Sequence, residues 1–298
     1  MMFNVRVFVI GAASIGWALM AFHNAGMSSV NHPPKALRSS GSGFVINPTI
    51  ANQQLAVIRN EIRHEPLSAP ALRDFALGIA KGQFNTSRSG LERAERVSRR
   101  DQWTQLFLIE SSVQNGDIAG ALRRYDTLLT LNGSLAPVLI DRLVAALISP
   151  DIRLQLPRYA NRPWMLLLLD RAAQAEGDPQ LALDLAKRTA LLGPDLPDQT
   201  ARNLVSAFIT RGEPANAEAV ADQLSDARHR GWRDTAFSAA STSIRLVPLT
   251  WDLAEGADIS VTLAAPGILE VADISGKRAQ VAARLQRLPL GATLSICR

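Results

Sequence analysis

Apolar residues recur at three- and four-residue spacing through most of this chain, and one signal cuts the runs: a glycine followed by a polar residue. It stands at Gly82-Gln83, Gly116-Asp117, Gly177-Asp178 and Gly212-Glu213. Leu72, Leu106 and Leu167 lie ten positions ahead of a glycine, and Phe75/Ile79, Ile109/Val113 and Val205/Ile209 lie seven and three ahead. Those offsets put them on one face of a first helix. Ala121, Ala182 and Ala217 follow five positions after a glycine, with Tyr125, Ala186 and Ala221 one turn later. The small residues there predict a second helix packed closely on the first. Gly82, Gly116, Gly177 and Gly212 are the predicted turns, since glycine takes a left-handed backbone without penalty. Pro194 is expected to close the third pair, and residues 139–148 and 152–156 read as helices stopped by Pro150 and Pro157.

The four glycines are spaced by 34, 61 and 35 residues, and the long interval breaks the period between Gly133 and Pro163. Glycine turn, small residue in the second helix and closing proline together resemble the tetratricopeptide pattern, whose period is about 34 residues, over residues 68–228. The resemblance implies a solenoid of helical hairpins. An irregular helical bundle would show the same paired antiparallel helices, so a mainly α fold follows from either reading.

The ends of the chain differ from this body. Residues 7–22 carry no charge and only Ser14 as a polar residue, a run of about 24 Å at 1.5 Å per residue against a hydrocarbon core of roughly 30 Å. A membrane anchor, a cleaved signal and a buried helix all suit such a run, although the missing polar face argues against the last. The first two put the bulk of the chain outside the cytoplasm. We carry forward an anchor over residues 1–26 with the N-terminus inside. Residues 27–50, with Pro33-Pro34 and a Ser/Gly stretch ending at Gly43, read as a flexible linker. The helical body is placed at residues 51–230. Past Trp232, Ile259, Val261 and Leu263 alternate with Ser260 and Thr262, and residues 268–271, 281–285 and 293–297 read as further strands. Residues 243–298 are thus expected to form a small antiparallel β segment, part of a sandwich.

Composition narrows the function classes. A hydrophobic content of 47% excludes a disordered chain. The net charge of +5 raises nucleic acid as a partner, but no recognition-helix or stacking motif accompanies it. Lysine occurs only at Lys35, Lys81, Lys187 and Lys277, so the basic excess is arginine. Its densest group, Arg88, Arg93, Arg96, Arg99 and Arg100, interleaves with Glu92, Glu95 and Asp101, the look of a solvated helix face. The lone Cys297 forms no disulfide within the chain, and His23, His32, His64 and His229 are not paired at metal-ligand spacing. No nucleophile, phosphate-loop or zinc-protease motif is present, so no catalytic, cofactor or metal residue is assigned.

Anchor, helical hairpins and β segment together resemble a group of bacterial envelope proteins. In these, a membrane-tethered helical repeat region leads into a domain like a carbohydrate-binding jelly roll. Pro248-Leu249-Thr250-Trp251, Val281-Ala282-Ala283-Arg284 and Leu288-Pro289-Leu290-Gly291 carry the likeness. It implies a single-pass inner-membrane protein, mostly periplasmic, binding protein partners in an envelope assembly such as exopolysaccharide synthesis or export. A polysaccharide ligand is the rival reading, with Trp251 as the candidate glycan contact and a core plug as its bland alternative.

Overall fold

Proline opens helix after helix here, which reverses one expectation drawn from the sequence. The computed structural model describes residues 37–40, 43–46, 48–79, 84–131, 133–174, 178–225, 231–255, 259–273 and 280–286. Among them are eleven α-helices: α1 (Pro48–His64), α2 (Ala69–Ile79), α3 (Phe84–Val97), α4 (Gln102–Gln114), α5 (Ile118–Leu131), α6 (Ala136–Ala146), α7 (Pro150–Gln155), α8 (Pro163–Ala173), α9 (Pro179–Arg188), α10 (Asp198–Thr210) and α11 (Pro214–Leu224). Pro48, Pro150, Pro163, Pro179 and Pro214 each occupy the first position of a helix. There the missing N–H costs nothing and the fixed φ already suits the helix. Pro150 therefore starts α7 rather than ending the helix before it, which stops at Ala146. Pro157 likewise sits inside a 3-10 turn, Leu156–Tyr159, that continues α7.

The chain divides into two compact units, Met1–Leu168 and Leu169–Arg298. In the first, α1 to α5 pack in chain order, each on the next. Asp101 caps α4 by accepting from the Thr104 backbone N–H at 3.1 Å, and Asp117 caps α5 by accepting from Gly120 N at 2.9 Å. Between those helices Gly116 has φ +71°. Its N–H reaches Val113 O at 3.0 Å, and the Asp117 N–H reaches Ser112 O at 2.8 Å. This doubly bonded left-handed cap satisfies carbonyls that a helix end would otherwise leave open. Gly212 (φ +76°) repeats it between α10 and α11, with Gly212 N to Ile209 O and Glu213 N to Phe208 O both at 2.9 Å. Gly82 and Gly177, the other two predicted turns, lie outside the described residues.

Alanine takes the same role where no glycine was expected. Helix α9 ends at Arg188, ahead of Pro194, through Ala190 at φ +56°, with Ala190 N bonded to Lys187 O at 3.1 Å and Leu191 N to Ala186 O at 3.0 Å. The end predicted at Pro194 is therefore corrected to this cap.

The small residues of the second helices are buried as expected at Ala121, Ala182, Ala186, Ala217 and Ala221. Ala182 keeps 1% of its surface exposed, so Ala182→Phe should overpack it and cost about 1–3 kcal/mol in a urea melt. An unchanged midpoint would place that face in solvent. The first-helix prediction holds at Leu106, Ile109 and Val205 but fails at Leu167 (54% exposed) and Ile79. In α8 the inward stripe is Trp164, Met165, Leu168, Leu169 and Ala172, which turns Leu167 outward.

The predicted linker is also partly ordered. β1 (Leu37–Ser40) and β2 (Gly43–Ile46) pair antiparallel, with Leu37 opposite Ile46, and α1 begins at Pro48. The β-favouring Phe44, Val45 and Ile46 outweigh the Ser/Gly composition that suggested coil. Residues 7–22 lie outside the described residues, and no single helix among those described is long and apolar enough to cross a membrane.

In the second unit the chain past α11 forms a 3-10 turn, Ile244–Leu246, and two small antiparallel sheets. β3 (Asp252–Leu253) pairs with β6 (Ala282–Ala283), and β4 (Ile259–Ala265) with β5 (Ile268–Asp273). Gly267 turns the second pair at φ +82°, and its N–H bonds Phe237 O at 2.7 Å. Val261 is buried, Ile259 and Leu263 are half-buried, and Ser260 and Thr262 are exposed, so the predicted alternation is present. The strand predicted over residues 281–285 shrinks to two residues, and the one over 293–297 lies outside the described residues.

Candidate functional site

A buried polar cluster in the second unit gathers around Arg245, in the stretch that leads to the β segment. Arg245 is 3% exposed and aims its guanidinium at the ends of helices. Its Nε donates to Leu224 O at 3.3 Å, Nη1 to Leu196 O at 2.5 Å and to Asp198 Oδ1 at 3.0 Å, and Nη2 to Gly193 O at 2.6 Å. Ser206 Oγ donates to Val247 O at 3.2 Å, and Arg202 reaches Asp252 at 3.4 Å. The segment from Ile244 to Asp252 therefore lies along α10.

Trp251 belongs to this segment. Its backbone N–H bonds Ser241 O at 2.7 Å, and its indole Nε1 donates to Thr235 O at 3.1 Å. The Phe237 ring lies 4.8 Å away at 38°, and the Arg284 guanidinium lies 5.8 Å from the Trp251 centroid. Arg284 in turn donates to Trp232 O at 3.1 Å and to Asp234 O. Desolvation lowers the Arg284 pKa, and the nearby Asp234 charge works against that shift. The half-buried Trp251 thus has its one donor spent and its ring engaged by neighbours. Those surroundings suit a packing residue, whereas sugar stacking needs an open face with free polar groups beside it.

The first unit is organised around α4, which is buried on every side from Gln102 to Ser112. Several polar residues on and around it are paired within the fold, while Ser111 Oγ is buried without a hydrogen-bond partner. Arg73, 1% exposed, spans Asp74 at 2.9 Å and Asp101 at 2.8 Å, while Asp101 also takes the Thr104 hydroxyl. Gln105 Nε2 donates to Glu95 at 3.3 Å and to Arg99 O at 3.4 Å. Glu110 has Gln114 Nε2 at 2.9 Å, and burial pushes its carboxyl above the ordinary range despite that bond. Tyr125, half-buried as a residue, has its phenol pushed up to about 12 by desolvation; the Arg142 charge opposes the shift and the Glu110 charge adds to it.

A carboxyl whose folded pKa is raised favours folding most below its unfolded pKa, and that contribution is lost as pH rises through the folded value. Glu110→Gln should therefore stabilise the protein at neutral pH, with the gain fading as pH falls through the raised folded value and gone by the ordinary Glu range. Urea melts across pH 4 to 8 test this. A variant less stable than wild type at neutral pH would mean that the carboxylate is well solvated.

The sequence missed how the charges of α3 are sorted. Arg88 bonds Glu92 at 3.0 Å and Asp117 at 3.4 Å, and Glu95 faces Arg124 at 3.4 Å. Asp101 is closed by Arg73 and Glu95 faces Arg124, so of the three interleaved acids only Glu92 pairs within the group, with Arg88. Every exposed residue between Gly90 and Arg100 is then an arginine: Arg93, Arg96, Arg99 and Arg100. Spacing carries part of this signal, because Arg88 and Glu92 stand four apart on α3, the distance at which helical side chains pair.

Among the described residues no three His, Cys, Asp or Glu side chains gather as a metal site. Compared with known proteins, the chain matches no family model, no curated protein and no solved structure, so its function must be read from these side chains.

Proposed function

We propose that this protein is a non-enzymatic scaffold of tetratricopeptide-like hairpins, tethered to the bacterial inner membrane through residues 7–22, with its bulk in the periplasm. It would hold protein partners in an envelope assembly, exopolysaccharide synthesis or export being the setting implied by the resemblance. The observation that supports this reading is the recurrence of one turn, with the same pair of hydrogen bonds, at Gly116 and Gly212. Polar contacts at a matching offset accompany it: Asn203 donates to Asp170 at 2.7 Å and Arg211 to Asp178 at 2.6 Å, each pair 33 residues apart. Repeat arrays bind along extended surfaces built by stacking. Since α4 is covered on all sides, the partner surface belongs to outward helix faces rather than to a groove along that helix.

Affinity capture by the full-length protein from detergent-solubilised cells tests the scaffold against the glycan reader. The scaffold predicts a defined protein partner retained equally by wild type and Trp251→Ala and not displaced by soluble polysaccharide. Sugar-dependent retention that Trp251→Ala abolishes would overturn it in favour of the glycan reader.

A further inference from the structure

We propose that the arginine face of Arg93, Arg96, Arg99 and Arg100 is a docking surface for an acidic helical segment of a partner protein. The inference rests on the scaffold reading and names the chemistry of its partner. None of the four guanidinium groups forms an ion pair among the described residues, because the nearby acids are held by Arg73, Arg88 and Arg124. Glu92, the acid on this stretch with the most exposed side chain, is turned to Arg88, so the four remaining guanidinium groups leave the surface around them net positive. The residue type matters as well, since the planar fork of arginine pairs with a carboxylate through two parallel hydrogen bonds.

The composition of the face selects the occupant. Insertion into a bilayer needs exposed apolar side chains beside the basic ones, and from Gly90 to Arg100 there are none. Reading single-stranded nucleic acid needs aromatic platforms, and Trp103, the nearest aromatic ring in sequence, is buried. Arg93 and Arg96 stand three residues apart on α3, about 4.5 Å along its axis, with Arg99 and Arg100 in the turn that follows. Glutamates three and four apart on a facing helix have a matching spacing.

The test uses the full-length protein and a labelled synthetic helical peptide with glutamates at i, i+3 and i+7. A peptide of the same composition with those glutamates spread around the helix serves as control. The patterned peptide should bind by fluorescence anisotropy, weaken as salt rises, and lose about tenfold in affinity against Arg93→Glu/Arg96→Glu/Arg100→Glu. Equal binding of both peptides, or binding unchanged by the reversal, would overturn the proposal. So would tighter retention of phosphatidylglycerol vesicles or of a polyuronate than of the patterned peptide. Circular dichroism checks that the reversed protein is folded; otherwise Arg93→Gln/Arg96→Gln/Arg100→Gln takes its place under the same criteria. Protein capture that survives the reversal while the peptide fails to bind would remove this face and leave the scaffold standing.

Discussion

Arg245→Ala should destabilise the second unit by about 3–5 kcal/mol, because it strips donors from three backbone carbonyls and from Asp198 at once. A buried acceptor left without a partner costs about 1–3 kcal/mol, and the carbonyls of Gly193, Leu196 and Leu224 lose the Arg245 donor together. Arg245→Lys keeps the charge but presents a compact ammonium in place of a planar fork, so it should recover only part of the loss. Tryptophan fluorescence in urea reads the transition through Trp232 and Trp251, both in this unit. A loss below about 1 kcal/mol would mean that water replaces the guanidinium without strain.

The second large effect is expected at Arg73, whose removal leaves the carboxylates of Asp74 and Asp101 buried together. Breaking a buried pair by deleting one member costs about 3–5 kcal/mol, since the surviving charge stays out of water. Asp101 is also the cap of α4, so the damage reaches the start of the central helix. Arg73→Met should therefore be strongly destabilising alone, and adding Asp101→Asn should return much of the loss, because asparagine still caps a helix while carrying no charge. If the double variant is no better than the single one, the loss comes from packing around Arg73 and not from the uncompensated acid.

Much of the helical body was legible because short-range rules decided it. Gly116 and Gly212 turn where a left-handed residue is required, and Ala121, Ala182 and Ala217 are buried because small side chains admit a neighbouring helix. The misreadings share a cause: a signal with two meanings. Proline both ends helices and begins them, and at Pro150 the second use applies, as only the position of the next helix could decide. Leu167 fits a three-and-four pattern, yet α8 has two overlapping apolar stripes, and packing selected the one through Met165 and Leu168. Arginine posed the harder problem. It is normally exposed, so nothing in the chain distinguished Arg73 and Arg245, which act as internal clamps, from Arg93 and Arg96, which face solvent unpaired. That distinction depends on which carbonyls and acids come near in space, and it is the one that shaped the candidate binding face.

The all-round burial of α4 also fixes how the protein should behave in time. A helix with a solvent-facing side lets its amides exchange through small local fluctuations, but α4 has no such side between Gln102 and Ser112. Its central amides, 106–111, should exchange deuterium only when the first unit opens as a whole, and so report its global unfolding free energy. Their protection should fall in step with the loss caused by Arg73→Met, making one helix a clock for the cooperative opening of its unit. Fast exchange there alongside slow exchange in α2 and α5 would show that α4 leaves the fold by itself.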